Sequence, residues 1–480
     1  MYVFYWTTSL SDCRLTRYDV GQAMSIDKLF DDVLLDTFDF YVIEQSNDKK
    51  EVEAWQTLVH VCRQWRTIVF GSSRRLNLRL YCATTTQTPL DVWPTLPLCI
   101  QGSVESTEES DNIIAVLKRS NPVYHIDLTD YSSYLENILV AMQKPFPELT
   151  FLSLFSYKGV TVVPDSFLGG SALPLRELKL DNIAFPGLPK LLLSAIHLTD
   201  LFLFNIPYSG YFSPEAIVTA LSTLASLGEL ILEFQSLSPY RESQRPPPLT
   251  RSNLPVLRTL MFKGIVKYLE DFVALIDAPQ LSSLHITLFH QVLFDTPQSI
   301  QFISRVPKLK ALKKACLAFK NDGAAVILVS PNGTSYDDVE VKILRREFDD
   351  SDRQVLSLEQ VCNSCLPPLS ALEGLYIYED TLLPLDWRGN VENTLWLELL
   401  RPFSAVKNLY LSEEFAPHIA PALQELIGSG TIEVLPALQN ILLEGLHSSG
   451  PVQEGIVKFV AARQLSGYPI TVSNWKRYGI

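Results

Sequence analysis

No run in this 480-residue sequence approaches the roughly 18 uninterrupted apolar residues of a membrane span, so no membrane partner is expected. Basic residues are also scarce: 40 Lys and Arg face 53 Asp and Glu, leaving a formal charge of −13. Such a chain lacks the basic face of a dedicated nucleic-acid binder and is disfavoured at an anionic lipid surface. Seven cysteines, odd in number and scattered, exclude a disulfide framework and suit a reducing compartment, cytoplasm or nucleus. The opening MYVFYWTTSL has neither the basic start nor the aliphatic run of a signal peptide. Missing too are a Walker-type loop, a GxGxxG after a strand, and a GxSxG elbow. Cys362-x-x-Cys365 has no second pair and no paired histidines to complete a metal site, and its i, i+3 spacing suits a buried helix face. Nothing here points to an enzyme, a metal or a cofactor.

What is present begins with Leu29 to Phe70. Leu29, Val33, Leu34, Thr37, Phe38 and Tyr41 fall at helical spacing, with Asp31, Asp32, Asp36 and Asp39 on the other side. Val52, Trp55, Val59, Cys62, Trp65 and Val69 repeat the pattern and predict a helix over 55–70, separated from the first by the charged loop 44–53. Helices this short leave apolar surface for another part of the chain or another protein to cover. Residues 1–23 show no period and are expected to be disordered, with Met24 as an alternative start of translation.

The residues Leu29-x-Asp31-Asp32-Val33-Leu34-Leu35 and Leu58-Val59-x-Val61-Cys62-Arg63-x-Trp65-Arg66 resemble an F-box, a helical module that docks on the Skp-type adaptor of cullin-based ubiquitin ligases. Phe30 departs from the pattern, because the family usually has proline there, a residue suited to the first helical position. The resemblance implies adaptor contact through Leu29, Leu34, Leu35, Leu58 and Val59, with Trp65 packed inside the module.

Beyond it, Leu76–Leu80 alternates like a strand, a proline-bearing linker follows, and residues 111–119 read as a helix. From Val123 one phrase recurs, Leu-x-x-Leu-x-Leu with other apolar residues substituting, starting at 123, 149, 175, 198, 227, 257, 281, 312, 372, 406 and 438. The gap from 312 to 372 is about twice the others and Val339–Leu344 supplies a degenerate copy inside it. One phrase alone means little, but this many in order resemble the leucine-rich repeat. Most copies lack the asparagine or cysteine that follows the last leucine in that family. Stretches rich in turn or charged residues, 236–253, 330–338 and 347–354, read as surface loops.

The expected fold is therefore α/β: a disordered segment 1–23, a helical module 24–72, a linker and cap 73–120, and an irregular leucine-rich-repeat solenoid 121–480, by resemblance a right-handed β-α horseshoe. F-box-like helices, this linker and irregular leucine-rich strands occur together in a large group of proteins of mushroom-forming fungi. Strand alternation turns the leucines inward and puts Phe151, Phe155, Phe202, Phe204, Ile231, Met261, Tyr376, Tyr378, Tyr410 and Leu442 on the opposite, concave face. Those side chains are either anchors for a target protein or, if loops cover them or the register is off by one, part of a core. His125 and His285 share that side. The resemblance implies the substrate receptor of a cullin-type ligase, with a Skp-type adaptor, through it a cullin, and an unknown target protein as partners. A non-ligase interaction scaffold with a degenerate F-box is the alternative.

Overall fold

The computed structural model describes residues 29–44, 54–84, 93–235, 251–289, 296–330, 338–344, 351–367, 369–380, 391–429, 433–445 and 451–476. The expected disorder of 1–23, the start at Met24, the loop 44–53 but for Glu44, and most of the loops 236–253 and 330–338 lie outside these residues. Two compact units emerge, one of Met1–Tyr81 with Leu90–Pro97 and one of Cys82–Pro89 with Leu98–Ile480.

In the first unit the helix Asp31–Glu44 follows Phe30, whose carbonyl accepts from the N–H groups of Val33 and Leu34. Asp31 and Asp32 occupy the first turn, where they complement the positive end of the helix dipole. Its buried stripe is Leu34, Leu35 and Phe38, while Val33 and Thr37 face out, a rotation from the expected face. The helix expected over 55–70 is two, Ala54–Val59 and Arg63–Gly71. Cys62 breaks them apart: its backbone is extended and its Sγ caps the second helix by accepting from Trp65 N at 3.5 Å. Trp55 is the anchor, 2% exposed, with Nε1 donating to Arg79 O at 3.1 Å and its ring set edge-on to Trp93 at 5.2 Å. The acceptor offsets the cost of taking the indole N–H out of water. Trp65, expected inside, is half-buried against Phe38 at 4.7 Å. Leu76 and Leu78 are buried but belong to a turn, and the strand begins at Leu80, after Asn77 with φ of 50°.

The second unit is a mixed α/β array in which strand and helix alternate along one long sheet. Parallel pairing joins, in order, Leu98–Val104, Val123–Asp130, Phe151–Ser156, Glu177–Asp181, Asp200–Ile206, Glu229–Phe234, Thr259–Gly264 and Ser283–Leu288. Leu152, Leu178, Leu201, Leu230, Leu260 and Leu284 stand side by side across these strands, none more than 1% exposed. Helices that follow the strands bury their own apolar stripes, as Ile113 and Leu117 do in Thr107–Leu117. Carboxylates hold several helix starts. Asp130, wholly buried, accepts from the N–H groups of Ser132, Tyr134 and Leu135 at 2.9–3.2 Å, ahead of the helix Leu135–Ala141. Glu270 accepts from Gln298 N, Ser299 N and Ser299 Oγ at 2.5–2.8 Å and so caps the helix Pro297–Arg305 from the preceding repeat.

The rhythm breaks after Ser283–Leu288. Its next neighbour is Asp338–Leu344, then Gly323–Val329 running antiparallel, then Lys314–Lys320, then Gly374–Glu379. The degenerate copy at 339 is thus a strand, but it stands before the 312 copy in space, with an unexpected antiparallel strand between them. Asn408–Leu411, Asn440–Glu444 and Thr471–Trp475 complete the sheet in parallel. Residues 351–354, expected in a loop, open the helix Ser351–Ser364.

Lys320 pairs with Gly323 across the tight turn Asn321-Asp322. A Cβ on Gly323 would lie 1.9 Å from the carbonyl oxygen of Ile343, so only glycine lets the central strand approach its partner. Gly323→Ala is expected to cost about 3 kcal/mol, since backbone must shift to accommodate it. Urea denaturation of the full chain measures this, and an unchanged midpoint would contradict the pairing.

Candidate functional site

Period-two alternation leaves one face of the sheet on the side opposite the leucine core. Lys179, Phe202, Ile231, Met261 and His285 form one row of that outward face, each beside the next on adjacent strands. Across the antiparallel insertion the row continues through Glu340, Ile327, Cys316, Tyr376, Tyr410 and Leu442. Phe155, Asp181 and Phe204 form part of a second row. Phe151, Phe155, Phe204, Met261, Tyr376, Tyr410 and Leu442 are half-buried, whereas Phe202, Ile231 and Tyr378 are 8–9% exposed. Among the rings, Phe202 and Phe204 stack on each other, as do Tyr376 and Tyr410.

The face has a stacked geometry at both ends. His125 lies flat on Phe151, centroids 4.1 Å apart and planes 6° from parallel. The Lys179 ammonium sits 5.5 Å from the Phe151 centroid and 5.1 Å from that of Phe202, and 2.5 Å from Glu177 Oε1. Phe155 carries the wall outward through Tyr157 and Tyr131, which are 66% and 40% exposed. At the other end Tyr376 and Tyr410 stack at 4.0 Å, and Trp475 meets both edge-on. There Cys316 and Ala318 are buried with Tyr378, and burial pushes the Cys316 thiol up to about 12, far from a reactive thiolate.

Between the ends lies an ionic cluster that the sequence left unmarked. His285 Nε2 is 3.1 Å from Asp338 Oδ1 and 2.9 Å from Ser283 Oγ, Ser283 Oγ donates to Asp338 Oδ1 at 2.8 Å, and His285 Nδ1 is 3.6 Å from Glu340. Lys320 in turn reaches Glu340 at 3.4 Å and Asp380 at 3.3 Å. Serine, histidine and aspartate together invite comparison with a hydrolase triad, but here serine and aspartate share one imidazole nitrogen and bond each other. A triad needs them on opposite nitrogens, so that the base can take the serine proton. This arrangement is an ion pair, not a nucleophile.

The expected adaptor residues Leu34, Leu35, Leu58 and Val59 are core of the helical unit, the last wholly buried, and Leu29 is half-buried. The reason is local: with the helix broken at Cys62, the short helices cover one another's leucines. Exposed instead are Phe30 at 80%, Phe40 at 67%, Val61 and Val33. Val33 and Phe40 are seven residues apart and share a helix face. Cys362 and Cys365 are buried, and burial raises the Cys365 thiol to about 11. Among the described residues no cluster of His, Cys, Asp and Glu could hold a metal ion, and no helix is long and apolar enough to cross a membrane.

The His285–Asp338 pair makes stability depend on pH. The hydrogen bond to Asp338 raises the His285 pKa above 6.5, outweighing desolvation, with Asp338 and Glu340 adding charge attraction and Lys320 opposing it. Burial would raise the Asp338 carboxyl, yet the hydrogen bonds from His285 and Ser283 leave it below 3.8. A raised histidine lends stability that is full below its unfolded pKa and lost as pH rises through the folded one; a lowered aspartate does the reverse in acid. The pair therefore stabilises most between pH 3.8 and 6.5. His285→Gln is expected to lower the urea midpoint most in that window, the difference shrinking as pH rises above it; a pH-independent difference would rule out the pair.

No family model matches the chain, and no curated protein matches it. Among solved structures it is similar to the leucine-rich repeat-containing protein LegL7 of Legionella pneumophila, at 14% identity and a TM-score of 0.26, over 81% of this chain and 98% of that one. The reading of the fold rests on the leucine ladder and the parallel register, not on that likeness.

Proposed function

We propose that the chain is a binding protein with two working surfaces, the substrate receptor of a cullin-type ubiquitin ligase. The outward sheet face holds a target protein, and the helical unit docks on a Skp-type adaptor that links it to the cullin. The observation that carries this reading is the aromatic outward face, because a sheet face open to water is ordinarily polar, and rings of this kind are what binding anchors are made of. Catalysis belongs to the partners in this scheme; the receptor acts by raising the effective concentration of target lysines near the transferase.

The adaptor end is assigned to the exposed apolar set. Phe30, Val33, Phe40 and Val61 are large side chains in water, and covering them gains about 25 cal/mol per Å². Leu34, Leu35, Leu58 and Val59 support that surface from beneath. Phe30 occupies the position where the F-box family has proline, and its ring is available for contact in exchange for the lost rigidity.

Val33→Asp with Phe40→Asp is expected to abolish co-purification with a Skp-type adaptor while circular dichroism stays unchanged, since both side chains are exposed. Leu34→Asp with Val59→Asp is expected to unfold the helical unit instead, at a cost of about 3 kcal/mol or more for each buried charge. If the exposed pair of substitutions leaves adaptor capture intact, the ligase reading gives way to a repeat scaffold without a ligase role.

A further inference from the structure

Two successive outward positions of the strand Glu177–Asp181 lie among rings, and at one of them the chain supplies its own cation. In the first, Lys179 stands in register between Ser153 and Phe202, and its ammonium reaches over the Phe202 ring and diagonally over the Phe151 ring, with Glu177 as counter-ion. One alternation further along the same strand the register places Asp181 between Phe155 and Phe204 on the neighbouring strands. Here the flanking rings are present but the residue between them is an acid. One of its oxygens, Oδ1, is held by Asn205 Nδ2 at 2.8 Å, which fixes the carboxylate, and Asn205 takes a φ of 48° in doing so. Asp181 also contributes to raising the Glu233 carboxyl, after burial as the larger cause, while Lys263 at 3.9 Å opposes it. Two acids thus repel one another on a face walled by rings.

We propose that Asp181, between Phe155 and Phe204, seats a lysine or arginine side chain of the bound partner segment. A cation there repeats what Lys179 already does one tier away: ring faces attract it through their quadrupoles, and the carboxylate supplies the opposite charge. Exposed Tyr157 and Tyr131, continuous with Phe155, give the apolar stem of such a side chain a surface to lie on. The net charge of −13 favours a basic segment over an acidic one during approach. The occupant is therefore an extended peptide carrying a basic residue beside apolar ones. This inference rests on the sheet face being the target-binding surface, and does not depend on the adaptor end.

The test uses the full chain and a fluorescein-labelled peptide, Gly-Ser-Tyr-Arg-Leu-Arg-Ser-Gly, against the same peptide with glutamine for arginine, read by fluorescence anisotropy. Asp181→Asn keeps the shape and the Asn205 contact while removing the charge. Glu136→Gln makes the same charge change on the exposed side of the helix Leu135–Ala141, away from the sheet face. The arginine peptide is expected to bind the wild type, Asp181→Asn to weaken it about tenfold, and Glu136→Gln to change it by less than about twofold. Equal binding of the two peptides, equal loss from the two variants, no binding of the arginine peptide, or full binding to Asp181→Asn would each overturn the proposal. Loss of adaptor capture by the Val33 and Phe40 variants leaves all four results untouched, so the two readings fail separately.

Discussion

The whole repeat array depends on register. In each phrase the leucines are two residues apart, and in a strand that spacing sends them to the same side. Leu152 and Leu154, Leu178 and Leu180, Leu201 and Leu203 all enter the core at 3% exposure or less. Sliding any strand by one residue would expose those leucines and turn Ser153 or Lys179 inward in their place. At about 2 kcal/mol for each leucine removed from water, such a slip is too costly to populate. The positions of the outward side chains follow from this alone, so the aromatic and ionic rows are consequences of the leucine ladder before they are anything else.

Polar groups then fix what the leucines leave undetermined. A helix start buried beside a sheet leaves N–H groups without partners unless something reaches them. Asp130 and Glu270 meet that need from neighbouring segments, each accepting several donors. Buried carboxylates are tolerable because their hydrogen bonds and the helix dipole offset the loss of water. Asn182 works the same way between repeats, donating to Ser156 O at 2.9 Å and to Gly159 O at 3.1 Å.

How much of this was legible in the sequence differs from element to element. The inward leucines and the outward Phe202, Tyr376 and Tyr410 were readable, because a two-residue period states the face directly. Face selection in Asp31–Glu44 was not, since Val33, Leu34 and Leu35 are consecutive apolar residues and only packing decides which of them turns inward. The break at Cys62 was hidden as well, its apolar spacing continuing on both sides. Gly323–Val329 was missed for another reason: its run AAVILV lacks the phrase, although Asn321-Asp322-Gly323 just before it is a hairpin signal. Asp181 and Lys179 went unnamed because charged residues on a strand look like ordinary solvated surface until their flanking rings are located.

The antiparallel insertion also changes how the chain must assemble. In a simple repeat array each new strand finds its neighbour already in place, and growth proceeds along the axis. Here the edge of Ser283–Leu288 has to wait for Asp338–Leu344, and Ser283 closes on Asp338 across 55 residues. During synthesis that strand stays an open edge, with backbone donors and acceptors unpaired, while two intervening strands emerge first. Assembly is therefore not a zipper but two zippers joined by a three-strand clasp, and the seam at Ser283–Leu288 is the point at which a nascent chain is most open to pairing with the wrong partner.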